Sequence, residues 1–600
     1  MELARTPSSE STTGSRTMAD LIAIAAERYA DRVAAKVKRE DGWQDVSYAE
    51  VGRAVDEIAL GLIELGVEAG DRVSLLCTTR LEWTLVDFGI TSTGAVVVPI
   101  YPTNSPEECE WVAGNSESTA IVCEDAEQVA KVTAVRERLP LLRTIVVIDP
   151  EGVPAEAGAV ALEAVRASGR QGDASELERR RAEVSPGDPF TFIYTSGTTG
   201  PPKGCVLSHG NYRDVLDMVQ AAGAVAERDL TYLFLPLAHS FALLIQLASY
   251  DMGSTIAYFG GDATQIVPEL NEVSPTYLPS VPRIFEKIYT LVAGNGDPEQ
   301  IRGATQVGMK VRYLRQRGEE VPAELQKHFD AAEEALFKNV RQAFGGRLRQ
   351  AVTGAAPIAK EILEFFFACG VPVLEGYGMT ETATVATYSR IDAHRFGSVG
   401  RLLPGVEGRI AEDGELLLKG ANIFGGYYKM EDASFGAIED GWLHTGDLGS
   451  IDEDGYVYIT GRKKDIIITA GGKNLTPANV ENDLKQSRWI SQAVMHGDRR
   501  PYPVALVTLD PEEIVQFARE HGLSEDPAEL SRDTKVHELV QGILDGVNRR
   551  YAQVEQIKRF VILDHDLSQE TGELTPTLKV KRNVINEKYA DLFDALYTTA

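Results

Sequence analysis

The chain has 600 residues, 44% hydrophobic and 25% charged, a soluble globular composition with too much chain for one hydrophobic core. Lys and Arg number 60 against 89 Asp and Glu, a formal charge of −29. A surface this acidic repels phosphate backbones and anionic headgroups, which argues against nucleic acid and electrostatic membrane docking; an anionic ligand needs a local site that overrides the global field.

The first 18 residues lack the apolar stretch of a signal peptide and read as a disordered tail. From about Ala19 to Gly461 helical patterns alternate with short apolar runs. Ser47 to Gly66 has a Ser-x-x-Glu start, apolar residues at helical spacing and a terminal Gly, and the DRVSLLC that follows reads as a strand. The runs at 95–101, 119–125 and 144–149 read as buried strands. Such alternation predicts α/β layers with largely parallel sheets. Between about 297 and 345 the chain is charged and helical in period, a helical insertion. After Leu403 the pattern becomes hairpin-like, with Asp413-Gly414 and Asp454-Gly455 at turns. The second resembles a calcium loop, but that alignment puts Ser450 at the first ligand position and Gly461 where a bidentate Glu is required, so the hairpin reading stands. Residues from about 465 to 600 alternate helix and strand again and can form a separate small domain. No run of about 18 apolar residues occurs, so no membrane span is expected. The five cysteines are scattered without a CxxC pair, which suits a reducing cytoplasm.

Chemistry concentrates after the strand Phe190–Tyr194. Thr195, Ser196, Gly197, Thr198, Thr199, Gly200 and, beyond two prolines, Lys203 make a loop rich in N–H and O–H donors beside a cation, as a polyphosphate requires. It is not a Walker A loop, because Pro202 stands where the second Gly is needed and Gly204 follows Lys203. A glycine-rich surface turn is the competing reading of such a string. No HExxH and no His-Cys pairing signals a metal site.

YTSGTTGPPKG resembles the phosphate loop of the acyl-adenylate-forming (AMP-binding) superfamily, which includes acyl-CoA synthetases, luciferases and the adenylation domains of peptide synthetases. The motifs GAAP at 354, GYGMTE at 376, LHTGD at 443, GRKKD at 461 and TPTLK at 575 follow in the family's order, so the resemblance runs from about residue 20 to the C-terminus. It implies a large N-terminal domain of layered α/β subdomains plus a β-barrel-like part, over 19–461. A small, mobile α+β lid domain follows over 462–600, with a hinge near Lys464.

It also implies site residues. Glu381 resembles the Mg2+ ligand and Thr380 a contact to the α-phosphate, although Thr-Glu alone reads as a helix start. Tyr377, between Gly376 and Gly378, offers a ring to adenine, or is core. Gly354, Ala355 and Ala356 are small enough for the base to approach. Asp447 and Arg462 resemble the ribose contacts, with a turn residue as the plainer reading of Asp447. Lys579 resembles the lysine that bridges carboxylate and α-phosphate, where Lys-x-Lys-Arg otherwise suggests a solvated face. His239 resembles the residue beside the reacting carboxylate, or a satisfied core histidine. Gly471 and Gly472 would wall a coenzyme A channel.

LPLAHSFALLIQ, the insertion and LTPTLKVKR look like the long-chain fatty acyl-CoA synthetase branch. The expected ligands are a fatty acid, ATP with Mg2+, and coenzyme A, with no nucleic acid. Peripheral membrane contact and a homodimer stay open. An acyl-AMP ligase loading a carrier protein, an oxidative luciferase and a non-catalytic adenylate-binding scaffold are the alternatives; the scaffold expects loss of Lys203, Glu381 or Lys579, and all three are present.

Overall fold

A computed structural model describes residues 12–195, 201–293, 297–470, 473–575 and 579–598. Two large sheets carry the N-terminal part. In the seven-stranded sheet Val160–Ala161, Thr144–Val147, Ser118–Cys123, Arg72–Leu76, Val96–Ile100 and Pro189–Thr195 pair in parallel, and Lys203–Ser208 closes the edge antiparallel. Val96–Ile100 is buried at all five positions, the pattern of a strand covered on both faces. The nine-stranded sheet is parallel through Leu230–Leu233, Thr255–Tyr258, Tyr277–Ser280, Gln350–Thr353 and Val373–Tyr377, with antiparallel edges.

Helix Tyr48–Glu64 begins where expected. Ser47 Oγ accepts from the Glu50 N–H and Glu50 accepts from the Ser47 N–H, a reciprocal cap. Between the last central strands the chain runs through helices Pro298–Gln316, Ala323–Ala332 and Lys338–Ala343, packed around Phe337, Phe344 and Phe366. A five-stranded antiparallel sheet forms the half-barrel part, with Gly414 and Gly455 at its hairpin turns at φ +87° and +81°. That left-handed backbone is strained for any residue with a Cβ.

The C-terminal part has its own three-stranded sheet, Ile490–His496, Val504–Leu509 and Arg559–Ile562, and its own core around Leu484, Val507 and Leu544. Two ion pairs, Arg283–Asp510 at 3.0 Å and Lys287–Glu512 at 3.1 Å, join it to the large part.

The sequence suggested an unstructured tail through residue 18, and the packed chain begins earlier. The Thr13 N–H donates to Asp251 at 3.2 Å, Arg16 donates to the carbonyls of Ala182 and Val184, and the Met18 N–H donates to His209. Polar residues read as a tail because their partners lie more than 160 positions away. No helix among the described residues is long and apolar enough to cross a membrane.

Candidate active site

A cavity of about 1170 Å³ opens where the half-barrel, the ends of the parallel strands and the C-terminal part meet. The carboxyl ends of parallel strands are the usual ligand edge of α/β sheets, because successive loops splay apart there. Thr353 and Tyr377 end two such strands, and the cavity is lined from Thr353 to Glu361 and from Glu375 to Glu381. Ala355 holds φ +67°, costly backbone for alanine that sits in the cavity wall. Gly354 leaves room that a Cβ would fill, since that atom would lie 3.0 Å from the Gly376 carbonyl.

The Tyr377 hydroxyl donates to Asp447 Oδ2 at 2.7 Å, and Arg462 Nε meets Asp447 Oδ1 at 3.0 Å. Asp447 and Arg462 are cross-strand partners in the half-barrel, which fixes this pair by register. Burial and the neighbouring Asp447 carboxylate push the Tyr377 phenol above its ordinary range, so it stays a donor. Thr380 and Glu381 lie in one 3₁₀ turn, Thr380–Thr382, and both are buried. Glu381 accepts from the Tyr427 hydroxyl at 2.7 Å, and Lys203 Nζ stands 5.0 Å from the Tyr427 ring centre.

Thr195 and Lys203 face each other across the hairpin that the phosphate-loop segment closes, and both line the cavity. Ser196, Gly197, Thr198, Thr199 and Gly200 lie outside the described residues, as do Gly471 and Gly472.

Lys579 arrives from the far end of the chain. The Thr575 N–H donates to the Lys579 carbonyl at 2.8 Å, the Lys579 N–H donates to Thr575 Oγ1 at 3.1 Å, and Leu574 bridges Val580, so the Lys579 backbone is tied to Thr575. Lys579 lines the cavity and is exposed by surface area. Desolvation, then the Arg462 guanidinium, pull its pKa down to about 8, against the carboxylates of Asp447 and Glu381.

His239 caps helix Ser240–Met252, its Nδ1 accepting from the Phe241 N–H at 3.2 Å. Desolvation, then Lys579, lower its pKa to about 3, so the ring is neutral near pH 7 and carries its proton on Nε2. Lys464 also lines the cavity, in the 3₁₀ turn Lys463–Asp465 that leads into the C-terminal part.

Thus Thr195, Lys203, His239, 354–356, 376–378, Thr380, Glu381, Asp447, Arg462, Lys464 and Lys579 share one cavity. Sequence reasoning missed Tyr427, which joins Glu381 to Lys203. It also missed Glu375, which lines the cavity and whose carboxyl burial pushes up to about 8. The aromatic pair after Gly425-Gly426 was the only signal for the first; for the second, the position directly before the GYG motif was one.

Family models match in two segments: "AMP-binding enzyme" over residues 22–428 and "AMP-binding enzyme C-terminal domain" over 464–600. Long-chain-fatty-acid–CoA ligase FadD15 of Mycobacterium tuberculosis is 38% identical over 565 residues, covering 92% of each chain. The long-chain-fatty-acid–CoA ligase ACSBG2 of Xenopus laevis is 34% identical, covering 97% of this chain and 84% of its own. Among solved structures, the adenylation domain of a Mycobacterium chelonae carboxylate reductase superposes with TM-score 0.77 at 21% identity, covering 98% of this chain and 92% of that one. A Mycobacterium tuberculosis fatty acyl CoA synthetase gives 0.62 at 22%, covering 96% and 99%. At those identities the superpositions speak to the fold alone. The motifs in their order, the two matched segments and the relatives above 30% identity place this chain in the AMP-binding enzyme family, in its long-chain fatty acyl-CoA synthetase branch.

Proposed function

We propose that the protein activates a long-chain fatty acid with ATP and passes the acyl group to coenzyme A. In the first step a carboxylate oxygen bonds to the α-phosphorus and the bond to pyrophosphate breaks. In the second the thiol sulfur bonds to the acyl carbon, AMP leaves, and the thiol proton goes to solvent. The observation that carries this reading is that Lys579 lines one cavity with Asp447, Arg462 and Glu381, residues from segments far apart in the sequence.

Both reactants of the first step are anions, so the site must supply cations and oriented donors. Lys579 would stand between carboxylate and α-phosphate. Lys203 and the donor-rich loop from Thr195 through Ser196, Gly197, Thr198, Thr199 and Gly200 serve the β- and γ-phosphates. Asp447, already accepting from Tyr377 and Arg462, has further lone pairs for ribose hydroxyls. Adenine lies between the Tyr377 ring and the backbone of 354–356. The neutral Nε2–H of His239 is a donor for the fatty carboxylate.

Among the described residues no cluster of three or more His, Cys, Asp or Glu could hold a metal alone. That suits Mg2+, which keeps waters and takes one carboxylate plus substrate phosphates. Glu381, with Thr380 beside it, would hold the ion, which would neutralise phosphate charge.

The working boundary between the large domain, packed from Thr13 onward, and the small one falls between 461 and 462, hinged at Lys464. Its place in a single 3₁₀ turn between two cores supports this, because few residues must absorb such a rotation. Gly471 and Gly472 would wall the thiol's channel after the swing. Five buried, unpaired cysteines support a reducing cytoplasm, and a water-insoluble acid supports peripheral contact with a membrane as its source.

The deciding experiment measures AMP release over a chain-length series of fatty acids, with and without coenzyme A. Turnover with coenzyme A is expected. Stalling at acyl-AMP until a carrier protein is added would favour the acyl-AMP ligase instead, and no AMP from any fatty acid would remove the reading.

A further inference from the structure

The cavity has a second, apolar limb. Leu244, Ile245 and Ala248 line it from the helix that His239 caps, and Ala248 lies about 13 Å along the axis from His239 at 1.5 Å per residue. The opposing wall is the nine-stranded sheet. Gln350 starts the strand that ends at Thr353 beside the nucleotide edge, so Gly354 to Gln350 spans about 13 Å at 3.3 Å per residue. Tyr277, paired with Gln350 in register, lines the same depth. The limb therefore runs from the carboxyl ends of the parallel strands towards their amino ends.

Tyr388 bounds this limb from the side. It sits on Thr387–Tyr388, opposite Gly376, and a Cβ at Gly376 would lie 3.6 Å from Tyr388 Cδ2, so the ring passes over a position without a side chain. The buried Gln350 amide holds it, Nε2 donating to Tyr388 Oη at 3.0 Å and to the Ala224 carbonyl at 2.7 Å. Arg349, paired with the buried Asp229 at 2.6 Å, donates to the same carbonyl at 3.2 Å. Tyr388 also lines a separate cavity of about 240 Å³ bounded by Ala221, Ala222, Leu402 and Leu403. Tyr388 thus belongs to the lining of both cavities.

We infer that Tyr388 is the partition that sets acyl chain length, and that the second cavity takes the tail of acids too long for the main limb. This rests on the fatty acyl ligase reading. A chain ending short of the ring leaves the Gln350–Tyr388 hydrogen bond intact. A longer one must turn the ring away from Gln350, after which its tail has about 240 Å³ of further space beside Ala222 and Leu402.

The test compares kcat/KM over an even-numbered series of saturated fatty acids. Tyr388→Val keeps a strand-forming residue while removing the ring. For an acid two methylenes beyond the parent optimum it is expected to raise kcat/KM, relative to the optimum, by about tenfold, the burial gain of two CH2 groups. Ala222→Phe fills the second cavity and is expected to cancel that gain in the double variant. As a single variant it should depress the longest acids while leaving the parent optimum in place. An unchanged profile in Tyr388→Val overturns the partition, and a gain that survives Ala222→Phe overturns the second cavity's part. If Tyr388→Val does not fold, Ala222→Phe alone decides: no selective loss on the longest acids overturns the inference. Parent enzyme that releases no AMP with any fatty acid sinks the ligase reading itself, a separate outcome.

Discussion

Lys579 is the residue on which the first half-reaction is expected to turn. Lys579→Ala should cut fatty-acid-dependent pyrophosphate exchange roughly 100- to 1,000-fold, the usual effect of removing a group aimed at developing charge. Thioester formation from supplied acyl-AMP should be largely spared, and equal loss of both half-reactions would contradict the assignment. Its pH behaviour follows from its surroundings. The pKa is lowered to about 8 and the proposed role needs the ammonium form, so the charge it relies on is lost as pH rises through about 8. In pyrophosphate exchange kcat/KM for ATP, which reports the free enzyme, should therefore fall above that point by about tenfold per pH unit. Lys579→Arg should carry the limb upward, since a guanidinium keeps its charge there. A limb that stays in place would mean that another group titrates. His239, lowered to about 3, should add no acid limb near neutrality.

At the scale of elements, the turn carrying Thr380 and Glu381 is wedged by a glycine. A Cβ on Gly378 would lie 2.1 Å from the Thr384 carbonyl, so Gly378→Ala must displace the turn. Adenylation should drop by about 100-fold, as displacing a positioned group by about 1 Å does, with a higher Mg2+ requirement. Wild-type Mg2+ dependence in that variant would count against Glu381 as its ligand. Much of this level was legible in the sequence. The capped helix after Ser47, the strand before Thr195 and the hairpins at Gly414 and Gly455 announce themselves through local chemistry: caps, apolar runs and residues suited to positive φ. Those signals span only a few positions. The Tyr427–Glu381 bond joins residues 46 positions apart and Thr13–Asp251 spans 238, and both depend on tertiary packing, which periodicity does not encode. Tyr388 was hidden for the same reason, as its partner Gln350 is 38 positions away and on another strand.

At the scale of the molecule, charge and hinge both make claims. ATP and coenzyme A are polyanions approaching a chain of net charge −29. Raising ionic strength from a low value to about 0.15 M, where the screening length is about 8 Å, should raise kcat/KM for coenzyme A. A fall with salt would instead show that the cationic site field outweighs the global one. The hinge is testable at Lys464, where proline fixes φ and removes the N–H. Lys464→Pro is expected to leave pyrophosphate exchange within about threefold while cutting acyl-CoA formation roughly 100-fold, because the small domain no longer completes its swing. Unimpaired acyl-CoA formation would remove the hinge.

The tie between Thr575 and the Lys579 backbone, within the C-terminal part, has one more consequence. If the small domain turns at Lys464 as proposed, Lys579 would leave with it, so rotation would dismantle the machinery that made the mixed anhydride before the thiol reaches it. Pyrophosphate returning late would then find no lysine to help it attack, and the cycle would gain a pawl that resists running backwards.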